Sequence, residues 1–186
     1  RFRMRMFSKT IACAVALSTG AATVTDTANA CTRVLWNDNG YAVMVGRTMD
    51  WPESTEPILT LFPRGLARNG GMAGQDVVVA DNPAKWTSKF GSLATTIYGI
   101  GTADGINEKG LGVHMLYLNA TDFGPCDPGK PGVQAGLWAQ YVLDNAATVA
   151  EALKLLEGVQ IVMVEANGHK ANVHLAMEDA SGDSAI

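Results

Sequence analysis

The sequence predicts an α+β fold in which helices are layered on antiparallel sheet. Three observations carry this. Short β-type runs fill most of the chain after residue 30. Helical spacing appears in one block, between Leu137 and Leu156. Strand character then returns.

Taken in order, Cys31 to Trp36 reads as a strand, Asn37 to Gly40 as a turn, and Tyr41 to Thr48 as the second strand of a hairpin. Pro57 to Phe62 is a further short strand, and the Gly-rich stretch from Gly65 to Gly74 is expected to be loop. Ser92 to Tyr98 and Leu111 to Leu118 are strand candidates on either side of a turn at Asn107-Glu108-Lys109-Gly110. Pro125, Pro128 and Pro131 make Asp122 to Gly132 an irregular connection. Leu137, Trp138, Tyr141 and Val142 then recur at helical spacing, and Thr148 with Glu151 forms a capping box for a second helix. Val159 to Val164 and Asn172 to Met177 are strands, and Asp179 to Asp183 is a hairpin turn.

The 186 residues are 47% hydrophobic and 17% charged, a composition that builds a buried core. The first thirty read as a secretory leader. Arg1, Arg3, Arg5 and Lys9 are basic, Ile11 to Leu17 is apolar, and Ala28-Asn29-Ala30 is the small-x-small pattern of a cleavage site. The expected division is a signal peptide over 1–30 and a single domain over 31–186, exported to the periplasm or secreted. Cleavage after Ala30 removes four basic residues and only one acid, Asp26, so the mature chain is more acidic than the overall net charge of −4. Nucleic acid and anionic membrane are therefore disfavoured as partners. The cleavage leaves Cys31 and Cys126, both expected to be free thiols.

Cleavage would also leave Cys31 as the first residue. Its thiol is then next to an α-amino group with a reference pKa of about 8, close enough to neutral to exchange protons with the thiol. Nucleophile and base would share one residue. An exported lipoprotein anchored through Cys31 is the rival reading, but Ala28 stands where a lipoprotein signal prefers Leu. Arg47 and Asp50 follow the hairpin in Gly46-Arg47-Thr48-Met49-Asp50-Trp51. A guanidinium fixed nearby favours thiolate, and a carboxylate can hold the amine.

These residues resemble the choloylglycine hydrolase family, the N-terminal-nucleophile hydrolases that include penicillin V acylases and bile salt hydrolases. Cys31-Thr32, the Gly46-to-Trp51 segment sixteen residues on, Asn107-Glu108-Lys109-Gly110-Leu111 and Asp179-Ala180-Ser181-Gly182-Asp183-Ser184 all fit its pattern. The resemblance covers the chain from Cys31 to its last residue. It implies a four-layer αββα fold and hydrolysis of a linear amide through a thioester. It also implies Cys31 as nucleophile, Arg47 and Asp50 as its supports, and the Tyr117 backbone N–H as one oxyanion donor. Family members extend further, to a second oxyanion Asn and another active-site Arg, so the chain is expected to be an incomplete N-terminal portion. Tyr at position 117 favours a penicillin V acylase. A bile salt hydrolase and an acylase of N-acyl homoserine lactones are alternatives, as is a binding domain without turnover. A homotetramer is left open by the resemblance.

Trp51 and Trp86 are candidate walls of an apolar acyl pocket. Trp138, on the helical stripe, is assigned to the core, and His114 is expected to be a satisfied interior group. The three histidines lack metal-ligand spacing. Neither a metal nor another cofactor is expected, and the partner is a small-molecule amide.

Overall fold

The computed structural model describes residues 31–186; the expected leader lies outside the described residues. The chain opens with the predicted hairpin. β1 (Arg33–Trp36) and β2 (Met44–Arg47) pair antiparallel, with Arg33 directly opposite Arg47. Asn39 closes the connection: its side-chain oxygen accepts from the N–H groups of Tyr41 and Ala42, and its amide donates to the carbonyls of Trp36 and Ala42. β3 (Ile58–Phe62) follows. The stretch expected as loop, Gly65 to Gly74, carries two short strands, β4 (Ala67–Asn69) and β5 (Met72–Ala73), and β6 (Asp76–Val77) and β7 (Lys85–Thr87) follow it. They pair β4 with β7 and β5 with β6, in runs of two or three residues, too short to leave an alternating pattern in the sequence.

In β8 (Ser92–Ile97), β9 (Gly101–Asn107) and β10 (Gly112–Tyr117) each strand pairs antiparallel with the next. β9 is the long strand that the sequence does not announce. Its Gly-Thr-Ala-Asp-Gly-Ile-Asn run is poor in β-formers. The small residues are there because a helix lies across the strand: a Cβ on Gly105 would come within 2.8 Å of Leu143 Cδ1.

β11 (Gly132–Gln134) leads through a short 3-10 turn into α1 (Trp138–Asn145) and α2 (Val149–Leu156). β12 (Gln160–Val162) returns parallel to β11. A small hairpin of β13 (Glu165–Ala166) and β14 (His169–Lys170) precedes β15 (Val173–Glu178) and β16 (Ser184–Ala185). The main sheet is antiparallel with the order β16-β15-β10-β9-β8-β3. Among the described residues no helix is long and apolar enough to cross a membrane.

The two helices cover one face of this sheet. Leu111, Val113, Met115, Val142, Leu143, Leu175 and Met177 are buried between the layers, each contributing roughly 1.5–3 kcal/mol of transfer free energy. Trp138 packs against the same core, edge-to-face with Phe123. The other face is open at β3, β8 and β9. Leu59, Leu61, Leu93 and Ile106 are exposed there, and the last three are register neighbours.

Two turns of the sequence motifs clamp the helices down. Asn107 is buried in the β9–β10 turn. Its amide donates to the carbonyls of Leu143 and Ala146 at 2.9 and 2.8 Å, satisfying two groups at the C-terminal end of α1. Its oxygen accepts from the N–H groups of Lys109 and Leu111. Asp179 caps α2 from the opposite side, accepting from Val149 N–H at 3.0 Å and from Ser181 N–H at 2.9 Å. The capping box forms in a variant way: Thr148 Oγ1 accepts from Glu151 N–H at 3.2 Å, while Glu151 accepts from Ala147 N–H at 2.8 Å rather than from Thr148.

Truncating Asn107 strands two buried carbonyls and two N–H groups. Asn107→Ala should destabilise the fold by about 2–4 kcal/mol, read as a lowered midpoint in urea unfolding. Asn107→Asp keeps the acceptor but turns an acid toward the two carbonyls, and should also be destabilising.

Candidate active site

Cys31 lies half-buried where the hairpin meets the end of β10. Tyr117 grips it twice through its backbone. The Cys31 N–H donates to the Tyr117 carbonyl at 3.3 Å, and the Tyr117 N–H donates to Cys31 Sγ at 3.3 Å. The predicted strand end and the predicted thiol therefore meet, although 86 residues separate them.

Arg47 ends β2 beneath this contact. Its Nη2 donates to the Met115 carbonyl. Its Nε lies 3.8 Å from Asp104 Oδ2, an ion pair too long to be a hydrogen bond. Asp50 is tied to the same segment less directly. Thr48 Oγ1 donates to Asp50 at 3.2 Å and accepts from Thr32 N–H at 3.0 Å, while Thr48 N–H donates to the Thr32 carbonyl at 2.9 Å. Asp50 thus reaches the residue after Cys31 through Thr48, and not Cys31 itself.

Cys31, Arg47, Asp50, Trp51 and Tyr117 line one cavity. Its remaining wall is mainly apolar and includes Met49, Ile97, Ile100, Ala103, Met115, Val164 and Val173. Trp51 stands edge-to-face with Tyr117, ring centroids 5.1 Å apart, and with His169 at 5.4 Å. It is locked by a hydrogen bond from Nε1 to the Tyr98 hydroxyl at 2.6 Å, and Tyr98 in turn donates to Glu53 at 2.6 Å. Burial and the bond to Glu53 push the Tyr98 phenol up, so it remains a donor through the neutral range.

Trp86 is elsewhere, which corrects its assignment to the acyl pocket. Its Nε1 donates to buried Asp144 of α1 at 2.7 Å, and its ring packs edge-to-face on Tyr141. Asp144 also takes Arg68 at 3.2 Å and the Gln140 amide at 2.7 Å. Trp86 is a packing residue that ties β7 to α1. Its size and aromaticity could not separate that role from a ligand wall.

One cluster escaped the sequence reading. His114, on β10, is buried with carboxylates on both ring nitrogens. Nδ1 is 2.7 Å from Asp104 Oδ2 and Nε2 is 2.8 Å from Glu178 Oε1. Asp104 faces Arg47, and Glu178 pairs with Arg33 of β1. Arg33 also bonds Ser184 Oγ and the Met177 carbonyl. Gly112, opposite Glu178 in register, leaves the room: a Cβ there would collide with the Glu178 carboxylate. Burial opposes charge on His114, but its hydrogen bonds to Asp104 and Glu178 outweigh it and raise its pKa to about 9. Burial likewise opposes charge on Glu178, and the bonds from His114 and Arg33 overcome it and lower its pKa.

A family model described as linear amide C–N hydrolases, choloylglycine hydrolase family, matches residues 31–186. The chain belongs to this family. A penicillin V acylase of Pectobacterium atrosepticum is 40% identical over 185 residues, covering 92% of this chain and 46% of that protein. The solved penicillin V acylase from Agrobacterium tumefaciens aligns with a TM-score of 0.69 at 41% identity, over 82% of this chain and 44% of that one. A conjugated bile acid hydrolase from Clostridium perfringens aligns with a TM-score of 0.66 at 23% identity, over 83% and 46%, a likeness of fold. The chain spans less than half the length of these relatives. The described residues supply one sheet and one helical layer of the four-layer choloylglycine hydrolase fold. The open face at Leu59, Leu61, Leu93 and Ile106 is as apolar as packing against a second sheet requires.

His114 also predicts a pH dependence for this family member. Its folded pKa lies above the unfolded value of about 6.5, so its contribution is fully present below that value and is lost as pH rises through about 9. Urea midpoints should fall between about pH 7 and pH 10 in the wild type. The fall should be smaller in His114→Gln, which starts from a lower midpoint.

Proposed function

We propose that this chain carries the nucleophile of a linear-amide hydrolase, with Cys31 exposed by cleavage after Ala30 and penicillin V-type acyl amides as substrates. The carrying observation is the 3.3 Å approach of the Tyr117 N–H to Cys31 Sγ inside a mainly apolar cavity. A backbone donor beside the nucleophilic atom is also beside the carbonyl that atom attacks.

The steps follow from these positions. The Cys31 thiol gives its proton to its own free α-amine, and the sulfur adds to the acyl carbonyl. The oxygen gains negative charge next to the Tyr117 N–H. Collapse breaks the C–N bond, and the leaving amine takes the proton from the α-ammonium. The acyl group remains as a thioester on Cys31. Water, deprotonated by the same amine, attacks the thioester, releases the acid and restores the thiol. Every proton in this cycle is held by Cys31, so the chemistry calls on no cofactor. Arg47 and Asp50 position the start of the chain, Asp50 through Thr48.

Trp51 and the Tyr117 ring give the cavity aromatic edges. Those suit an aryl acyl group such as phenoxyacetyl. Conjugated bile salts and long-chain N-acyl homoserine lactones are the competing substrates, and periplasmic export accompanies the proposed processing.

Mass spectrometry of the purified mature enzyme should find an unmodified Cys31 at the N-terminus. A diacylglyceryl group there overturns the proposal. On penicillin V, a conjugated bile salt and a long-chain acyl homoserine lactone, Cys31→Ser should lower kcat by about 10⁴-fold or more. Equal activity of Cys31→Ser and wild type on all three sinks the mechanism. Trp51→Ala should raise KM for penicillin V by about tenfold, near 1.4 kcal/mol, whereas Trp86→Ala should act through stability and leave KM within about twofold.

A further inference from the structure

The hairpin that begins with Cys31 is not a strand of the main sheet. β1 and β2 form a separate pair, so beyond the Cys31 N–H bond to the Tyr117 carbonyl its seat depends on what its side chains reach. Arg33 and Arg47 face each other in register at its base. Each points to a carboxylate on a different strand, Glu178 on β15 and Asp104 on β9. His114 stands on β10 between those strands and bonds both carboxylates. The chain Arg33–Glu178–His114–Asp104–Arg47 therefore runs from one hairpin strand, across three strands of the sheet, to the other.

We propose that His114 is a positioning residue for Cys31: as an imidazolium it joins Asp104 to Glu178 and so holds both arginines of the nucleophile's hairpin in place. This rests on the reading of Cys31 as the nucleophile. The argument is one of donor count. A neutral imidazole has one N–H, so it can serve one carboxylate and must turn a lone pair toward the other. Only the protonated ring donates at both ends. Loss of the proton frees either Glu178, and with it the hold on Arg33, or Asp104, the ion-pair partner that Arg47 has beside its bond to the Met115 carbonyl. The groups that face this ring are Asp104 from β9 and Glu178 from β15, and beyond them lie Arg33 from β1 and Arg47 from β2. His174 lies four residues before Glu178 on the same face of β15, and burial lowers its pKa, so it adds no charge at neutral pH.

A packing role alone would lower stability without changing how activity depends on pH. A clamp that works by its charge shapes the alkaline side of the profile. In the full-length enzyme, kcat/KM for its best amide substrate should fall above about pH 9 in the wild type. His114→Gln and His114→Asn each keep one donor and have no titrating proton. Both should lower the plateau by about 10- to 100-fold, the scale of an ångström-level misplacement, and the alkaline fall near 9 should be absent from their profiles. Variants with the wild-type plateau and profile overturn the proposal. Should the variants not fold, nitrogen-15 NMR of the wild-type imidazoles decides. His114 must show two protonated nitrogens at neutral pH and titrate near 9, and a neutral ring at pH 7 overturns the clamp. This measurement needs no turnover, so it stands apart from Cys31→Ser. If Cys31→Ser retains activity, the nucleophile reading fails whatever the state of His114.

Discussion

The site depends on keeping two positive charges together. Arg33 and Arg47 sit directly across an antiparallel pair, where like charges repel. What makes the pairing tenable is the pair of acids on the sheet beneath, and Arg33 and Glu178 are almost wholly withdrawn from water. Ions so placed are costly unless fully partnered. The hairpin accordingly has one seat in which its charges are matched, and any displacement separates buried ions. A short two-stranded ribbon is marginal by itself; here electrostatics does what the ladder hydrogen bonds of a neighbouring strand would otherwise do. Asn37 adds a neutral tie at the far end, donating to the Gly182 carbonyl at 3.0 Å.

The rest of the architecture makes that seat rigid. Asn107 and Asp179 lie in tight turns at the same end of the sheet and reach the junction of α1 and α2 from two sides. Each satisfies helix-terminal groups that water would otherwise have to reach. Because β10 carries His114 toward the hairpin and Val113 and Met115 toward the helices, one strand links the buried core to the charged cluster. Fixing the helices fixes β10, and fixing β10 fixes what the arginines meet.

Much of this was legible in the sequence, because it was written in local signals. The first hairpin, both helices, β8, β10 and β15 follow from period, turn residues and a capping box. Cys31, Arg47, Asp50, Trp51 and Tyr117 stand out in the sequence and meet at one cavity. β9 was not legible, since its composition answers to Leu143 lying across it and not to strand propensity. His114 was expected to be satisfied, but its partners are 10 and 64 residues away and no spacing encodes them. The role of Trp86 is not legible because a large aromatic looks alike in a core and in a pocket; Asp144 behind its Nε1 decides the matter. Asn107 and Asp179 stood out as motif residues, and their task is mechanical.

Tyr117 divides its duties between backbone and side chain. The N–H belongs to Cys31, and the ring belongs to Trp51. If Cys31 acts as proposed, reactivity and recognition are encoded in separable parts of one residue. Any side chain except proline leaves the donor intact, while a single codon change redraws the wall that an acyl group would touch. Under the proposed function, such a position lets a lineage exchange one amide for another without rebuilding the machinery that cuts it.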